Sequence, residues 1–171
     1  MIILLMGVAG SGKTTVGRAL AARMGFEFAD ADDYHPAANI EKMANGIPLT
    51  DEDRAPWLER LRAVIADWIA AGRNGVLACS ALKQEYRDRL TVGPEVRLVY
   101  LKGTRELFYR RLLRRHGHYM RESMLDSQLA TLEEPSDATV VNSEATVEEV
   151  VAEILGSRPL TTEDTWDHGE K

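Results

Sequence analysis

Short apolar runs alternate with longer amphipathic stretches along most of the chain. The short runs predict strands over residues 2–6, 26–30, 76–79, 96–101 and 139–142. Between them, the spacing of apolar residues predicts helices over residues 15–24, 35–45, 57–69, 83–90, 104–115, 123–132 and 147–155. This alternation of strands and helices is typical of an α/β fold with a mainly parallel sheet.

The longest predicted helix carries one broad apolar stripe. Thr50 followed by Asp53 resembles an N-terminal capping signal, Pro56 suits the first helical turn, and Gly72 follows the helix. The members of the stripe are Trp57, Leu58, Leu61, Val64, Ile65, Trp68 and Ile69. Such a stripe faces either the core of the protein or a partner subunit.

The composition suits a single domain with a sizeable core. Of the 171 residues, we expect 1–156 to form that domain and 157–171 to form a polar, acidic tail. No apolar run approaches the roughly 20 residues that span a bilayer. A net charge of −6 argues against a general nucleic-acid-binding surface. Cys79 is the only cysteine, so we expect a cytoplasmic protein without nucleic-acid or membrane partners.

Residues 7–14 carry the clearest chemical signal in the sequence. They read Gly-Val-Ala-Gly-Ser-Gly-Lys-Thr and match the phosphate-binding loop pattern between a predicted strand and a predicted helix. Backbone amides of such a loop surround phosphate oxygens, the lysine reaches the β- and γ-phosphates, and the hydroxyl after it ligates Mg²⁺. The predicted nucleotide-binding residues are Gly7, Gly10, Ser11, Gly12, Lys13, Thr14 and Thr15.

Polar residues follow the second and third predicted strands, where ligands bind in open parallel sheets. Asp32 is the first candidate for accepting a proton from a substrate hydroxyl or for holding Mg²⁺, and His35 is a candidate for binding a substrate oxygen. After the third strand, Lys83 and Arg87 share one predicted helix face. That face indicates either an anionic substrate or a solvated basic surface. Ser80, just before this helix, either binds substrate or caps the helix.

Arginine is concentrated in residues 105–121, which hold six arginines within 17 positions of a net-acidic chain. Such residues either form a mobile lid that stabilises the transferring phosphoryl group and excludes water, or decorate a surface helix. Arg111 and Arg115, four residues apart, are the candidates for contacting ATP phosphates. The adenine is expected near the backbone at Asn142 and beside an arginine.

With these residues placed, the chain resembles the small P-loop gluconate kinases, which are similar to shikimate kinases and nucleoside monophosphate kinases. The resemblance runs from residue 2 to about 155. Its most specific parts are the His-Pro…Asn-Ile-Glu-Lys-Met block at residues 35–43 and the Asp-Arg…Pro-Trp-Leu block at residues 53–58. It implies a three-layer fold with a five-stranded parallel sheet, a mobile lid and often a homodimer.

The resemblance also implies a reaction, the Mg²⁺- and ATP-dependent phosphorylation of D-gluconate at its 6-hydroxyl, which yields 6-phosphogluconate and ADP. Arg54 would bind the gluconate carboxylate, and Asp32 would orient or deprotonate the attacking hydroxyl. The remaining substrate contacts implied are His35, Ser80, Lys83, Arg87, His118 and Gln128. Two alternatives stay open: a kinase of the same fold for another small acceptor such as shikimate, and a nucleotide-binding regulator or assembly ATPase.

Overall fold

The computed structural model describes residues 1–116 and 120–156, apart from the side chains of residues 116, 120 and 121. This part of the chain holds one five-stranded sheet in which every pairing is parallel. Its strands are β1 (Ile2–Met6), β2 (Glu27–Asp30), β3 (Gly75–Ala78), β4 (Val96–Lys102) and β5 (Thr139–Asn142). They lie in the order β2-β3-β1-β4-β5, which confirms the predicted fold class.

Helices connect the strands. They are α1 (Lys13–Met24), α2 (Ala37–Ala44), α3 (Asp51–Ala70), α4 (Gln84–Leu90), α5 (Arg105–His116), α6 (Met120–Thr131) and α7 (Val147–Gly156). A 3₁₀ turn at Ala31–Tyr34 occupies what the sequence indicated only as a loop, and the Asp30 side chain caps it. Each predicted helix is present, and none in the described ranges is long and apolar enough to cross a membrane.

The central strand β1 is buried on both faces, as expected for a parallel sheet covered by helices. Leu4 pairs with Leu77 of β3 and Leu98 of β4, and packs on the face covered by α3. The alternate residues Ile3 and Leu5 pack on the other face, against α1 and α7. Full burial of each such side chain contributes about 1.5–3 kcal/mol, so this strand anchors both layers.

The apolar stripe of α3 faces the core and not a partner subunit. Its buried members are Trp57, Leu58, Leu61, Ile65 and Trp68. The predicted cap is confirmed, because Thr50 and Asp53 form a reciprocal capping box. Pro56 was expected in the first turn, and this is wrong: the helix begins at Asp51, which places Pro56 in the second turn.

A third apolar cluster fastens α5 and α6 to the phosphate loop. It joins Val8 of the loop and Leu82 after β3 to Leu107, Phe108, Leu112 and Leu125. Residues after β1 and β3 therefore meet α5 and α6 at one edge of the sheet. The lid stays a prediction, because residues 117–119 lie outside the described ranges. The predicted tail, 157–171, also lies outside them.

Candidate active site

Two glycines give the phosphate loop its shape. Gly10 and Gly12 have φ angles of +81° and +91°, a left-handed backbone that L side chains rarely adopt. A Cβ on Gly10 would also lie 2.7 Å from the Phe108 carbonyl oxygen. The loop therefore packs directly against the backbone of α5, and α1 begins immediately after it at Lys13. A helix N-terminus at this point favours an anion.

Lys13 lies half-buried between the loop and the acidic segment after β2. Its Nζ donates a hydrogen bond to the Val8 carbonyl oxygen at 3.1 Å. Burial lowers the pKa of this ammonium, and the nearby Asp32 carboxylate acts in the opposite direction. Asp32 lies at the surface, yet desolvation by the atoms around it raises its pKa, Asp30 adds to this rise, and Lys13 opposes it. The two predicted catalytic residues therefore lie close enough to interact electrostatically.

Asp30 connects the acidic segment to the start of α1. The Thr14 hydroxyl donates to Asp30 Oδ2 at 2.7 Å, and the Asp32 backbone N–H donates to Asp30 Oδ1 at 3.0 Å. The sequence interpretation favoured Asp32 and left Asp30 without a role. Its position as the last residue of a strand, at the ligand-binding edge of a parallel sheet, was the available signal.

A cavity of about 260 Å³ opens beside the phosphate loop. Its lining includes Ser11, Gly12, Thr15, Arg111, Arg114, Arg115, Ser143, Ala145 and Val147. The residues after β5 thus lie opposite the arginines of α5, where the sequence predicted the adenine. The mixture of loop amides, guanidinium groups and apolar side chains suits a nucleotide.

Arg111 is tied to the phosphate loop through Ser143. Its Nη1 donates to Ser143 Oγ at 2.9 Å, and that hydroxyl donates to the Ser11 carbonyl oxygen at 2.6 Å. Arg115 reaches the Thr15 hydroxyl at 3.4 Å. Both predicted arginines therefore lie at the nucleotide cavity. Ser143 was missed, because nothing in the local sequence distinguishes it from any serine after a strand.

The arginines of residues 105–121 do not act as one group. Arg105 forms ion pairs with Glu122 at 2.9 Å and with Asp126 at 2.7 Å, which join α5 to α6. Arg110 is exposed. The sequence pattern did not separate Arg111 and Arg115 from these neighbours, because the distinction depends on which side of α5 faces the phosphate loop.

A second cavity, of about 430 Å³, lies near the start of α3. It is lined by Pro48, Leu49, Thr50, Asp51, Arg54, Lys83, Ser127 and Thr131. Arg54 Nη1 donates to the Leu49 carbonyl oxygen at 2.9 Å, and Lys83 pairs with Asp51 at 3.0 Å. The predicted cations Arg54 and Lys83 therefore share a cavity large enough for a small polyhydroxy acid.

Asp51 and Tyr86 complete the polar network of this cavity. The Tyr86 hydroxyl donates to the Asp51 carboxylate and accepts a hydrogen bond from Arg54. The Tyr86 and Lys83 hydrogen bonds lower the pKa of Asp51, which keeps it charged. Sequence reasoning had not assigned either residue, although Asp51 was seen as part of the helix-capping segment.

His35 lies buried between the acidic turn and α3. Its ring stacks on Trp57, with centroids 4.4 Å apart and planes 11° from parallel. Burial lowers the His35 pKa, and the positive charge of Arg54 lowers it further. The ring is therefore neutral near pH 7 and lies close to the predicted carboxylate-binding arginine.

The prediction that Lys83 and Arg87 share one helix face, whether as an anion-binding pair or as a solvated basic surface, is wrong. Lys83 precedes α4 as its N-cap, whereas Arg87 is only 1% exposed. The Arg87 guanidinium donates to the carbonyl oxygens of Ala81 at 2.8 Å, Leu82 at 3.0 Å and Glu133 at 2.8 Å. Both Nη atoms therefore bind backbone, and the buried Nε has no partner among the described residues. These bonds favour a structural role for Arg87 over direct substrate contact.

The remaining predicted substrate contacts fall in different places. Gln128 Oε1 accepts a hydrogen bond from the Ala9 backbone at 2.7 Å, so it touches the phosphate loop. Ser80 is half-buried just after β3, and it is not the cap of α4 because Lys83 takes that position. His118 lies outside the described residues.

Comparisons with known proteins identify the family of the chain. The family model described as Shikimate kinase matches residues 9–157. A probable gluconokinase from Xenopus tropicalis is 45% identical over 91% of this chain and 92% of its own length. The thermosensitive gluconokinase of Escherichia coli K12 is 48% identical over 77% and 71%. A gluconokinase crystal structure from Sinorhizobium meliloti 1021 superposes with a TM-score of 0.79 at 42% identity, covering 90% and 89%. The chain therefore belongs to the shikimate kinase family and, within it, to the gluconokinases.

Proposed function

We propose that this protein phosphorylates D-gluconate at its 6-hydroxyl with ATP and releases 6-phospho-D-gluconate and ADP. The observation that carries the proposal is the position of Lys13 and Asp32, which lie together at the same sheet edge as a nucleotide-type cavity and a cavity containing Arg54 and Lys83. A kinase needs both compartments, because it must hold a phosphoryl donor and an acceptor in line.

On the nucleotide side, the loop amides and the N-terminus of α1 bind the phosphate oxygens. Lys13 supplies a positive charge to the β- and γ-phosphates, where charge develops during transfer. Arg111 is held at the loop through Ser143 and binds phosphate oxygens alongside it. Arg115, more exposed, adds charge from the same helix. The adenine occupies the apolar part of the cavity, near Ala145 and Val147.

On the acceptor side, Arg54 binds the gluconate carboxylate, because a guanidinium pairs with a carboxylate through parallel hydrogen bonds. Lys83 is the second cation, and the substrate carboxylate competes with Asp51 for it. His35 donates a hydrogen bond to a substrate oxygen. Ser80 and Gln128 are proposed as further polar contacts, with Gln128 at the boundary between the acceptor and the phosphate loop.

Asp32 orients the attacking hydroxyl and accepts its proton. Its raised pKa, caused first by desolvation and then by Asp30, makes it a better proton acceptor than an aspartate at its ordinary pKa. Lys13 lies next to it, so the proton acceptor and the phosphate-binding ammonium act on the same pair of reacting atoms. Loss of Asp32 would lower kcat more than it raises the KM for gluconate.

The donor set around Thr14 fits Mg²⁺ that arrives with ATP. Within residues 1–116 and 120–156, no three His, Cys, Asp or Glu side chains gather into a metal site of their own. Mg²⁺ commonly combines one or two protein oxygens with phosphate oxygens and water. The Thr14 hydroxyl, with Asp30 and Asp32 through water, would hold it, and the ion would neutralise phosphate charge.

A coupled ADP-release assay tests the proposal. The acceptors are gluconate, shikimate, a nucleoside monophosphate and neutral sorbitol, which carries hydroxyls like those of gluconate but no carboxylate. We expect turnover with gluconate and not with the others, and we expect Arg54→Ala to raise the half-saturating gluconate concentration about 10- to 100-fold. Turnover of another acceptor without gluconate activity would overturn the assignment.

The same assay addresses a regulator or assembly ATPase. Such a protein would hydrolyse ATP slowly at a rate that gluconate does not change. The predicted homodimer and cytoplasmic location remain predictions. The apolar stripe of α3 no longer supports the dimer, because it is buried in the core of one chain.

A further inference from the structure

The side chain of Asn39 has both of its amide hydrogens directed at fixed acceptors. Asn39 is 3% exposed, and its Nδ2 lies 2.8 Å from the Asp53 carbonyl oxygen and 3.3 Å from His35 Nδ1. A backbone carbonyl only accepts hydrogen bonds, so the atom facing it must be the amide nitrogen. That contact settles the orientation of the amide.

The orientation of Asn39 determines which nitrogen of His35 carries the proton. An amide NH₂ only donates, so His35 Nδ1 must accept and must be unprotonated. The neutral ring then carries its proton on Nε2, and Nε2–H is a donor. Among residues 1–116 and 120–156, none forms a hydrogen bond with Nε2, which leaves this donor for a ligand.

The surroundings of His35 hold the ring in this state. Trp57 fixes its plane by stacking, and Trp57 is itself fixed by a hydrogen bond from Nε1 to the Ala31 carbonyl oxygen at 2.7 Å. The charged side chains nearest the ring on the neighbouring elements include Asp53, Arg54 and Arg60 of α3, Glu41 and Lys42 of α2, and Asp32 and Asp33 of the 3₁₀ turn; Arg60 donates to the Tyr34 carbonyl oxygen at 3.2 Å. Asp53 is paired with Lys42 at 2.8 Å, and the positive charge of Arg54 disfavours protonation of the His35 ring.

We propose that Asn39 is a positioning residue that sets the His35 tautomer, so that Nε2–H donates a hydrogen bond to a hydroxyl or carboxylate oxygen of the acceptor. The inference rests on the proposed function only for the identity of that acceptor. The neutral donor does not change over the pH range in which the kinase works, whereas an imidazolium would lose its charge within it. Selection among acceptor substrates thus depends on hydrogen-bond geometry at His35 and on charge at Arg54.

A purely structural role is the competing explanation, since the Asn39 bond to the Asp53 carbonyl oxygen also joins α2 to α3. The two explanations differ for Asn39→Asp. A carboxylate accepts the proton of Nδ1, so this change moves the neutral proton from Nε2 to Nδ1 and stabilises the imidazolium. Asn39→Leu removes the hydrogen bonds without imposing the opposite tautomer. A structural role predicts similar kinetic effects for both.

The first measurement uses the wild-type full chain without ligand. Two-dimensional ¹H–¹⁵N NMR of the imidazole groups, with His35 assigned by its loss in His35→Gln, reports which ring nitrogen is protonated. We expect a neutral ring protonated at Nε2, and protonation at Nδ1 in neutral Asn39→Asp. A wild-type ring protonated at Nδ1 would overturn the proposal, whether or not gluconate is the substrate and whether or not the variants fold.

The second measurement is the KM for gluconate and kcat from pH 6.5 to 9. For Asn39→Asp, we expect the KM to rise about five- to tenfold as pH increases and the imidazolium is lost, with kcat within about twofold of wild type. The control is Asn45→Asp at the exposed end of α2, where Asn45 Nδ2 bonds only the Glu41 carbonyl oxygen. A pH-independent KM in Asn39→Asp, or equal effects in Asn39→Asp and Asn39→Leu, would contradict the proposal.

Discussion

Replacing Arg87 by methionine tests whether this buried cation is structural. Methionine keeps the apolar stem but removes donors to the carbonyl oxygens of Ala81 and Glu133. The carbonyl of Leu82 keeps one partner, the Glu133 backbone N–H at 2.9 Å. The Ala81 oxygen is buried, and a buried acceptor left unpaired costs about 1–3 kcal/mol, whereas the part-buried Glu133 oxygen can bond water and loses only about 0.5–1.5 kcal/mol. The expected loss in the free energy of unfolding is therefore about 1.5–4.5 kcal/mol.

Urea denaturation followed by circular dichroism measures this loss. Arg89→Met is a matched control in the same helix, because the Arg89 side chain is 38% exposed and its one ion pair within the described residues is with Glu85 at 3.1 Å. Such a pair contributes about 0.3–0.5 kcal/mol. In thermal melts, Arg87→Met should unfold roughly 3–18 °C below the wild type.

Kinetics of the same variants separate the two interpretations of Arg87. If Arg87 only stabilises the backbone around Ala81 and Glu133, the main effect of Arg87→Met should be a lower free energy of unfolding. Any change in the KM for gluconate would then be a secondary effect of displacing the segment at Ala81. The reasoning is refuted if Arg87→Met unfolds at the urea midpoint of Arg89→Met while its gluconate KM rises tenfold or more. That result would restore Arg87 as a direct substrate contact.

Three further changes test the site and the fold. Lys13→Ala should lower kcat at least 10³-fold, because it removes the ammonium that stabilises the transferring phosphoryl group; ADP release measures this. Arg111→Ala should raise the KM for ATP about tenfold or more, whereas Arg110→Ala, which removes an exposed neighbour, should change it less than twofold. Hydrogen bonding from Lys42 lowers the pKa of Asp53 from 3.8 to about 2. The stabilising effect of Asp53 is then complete above about pH 4 and lost as pH falls towards 2. Between pH 4 and pH 2, the free energy of unfolding should therefore fall less steeply in Asp53→Asn than in the wild type.

Each of these has a contradicting result. Near-normal turnover in Lys13→Ala would remove the phosphate loop from catalysis. Equal KM values for ATP in the Arg111 and Arg110 variants would mean that the hydrogen bond to Ser143 does not place Arg111 at the phosphates. Parallel pH–stability curves for wild type and Asp53→Asn would show that the capping box holds without the charge.

The parts of the fold that depend on short segments were predictable from the sequence. The phosphate loop needs glycines within a few residues of one another and a helix directly after it, so residues 7–14 contain all the information that shapes it. The capping box at Thr50 and Asp53 is equally local. The buried strand β1 was visible because a strand covered on both faces has no polar positions to interrupt it.

The sequence left open every question that depends on which elements meet. The α3 stripe suited a core or a partner, and only the packing of α3 on the sheet decided for the core. Arg87 looked like a surface cation at helical spacing from Lys83. Its burial depends on Glu133, whose carbonyl oxygen it reaches across 46 positions of sequence.

By itself, then, the sequence determined the strands and helices, the phosphate loop and the residue types available for chemistry, because these follow from periodicity and from the conformations that glycine permits. Only the tertiary structure decided which cations line a cavity and which are buried or paired away from one. The partners of a charged side chain, whether backbone, an ion pair or a ligand, depend on what the fold brings within hydrogen-bonding distance. The strand order places Arg54 and Lys83 at a cavity, buries Arg87 and pairs Arg105 with α6.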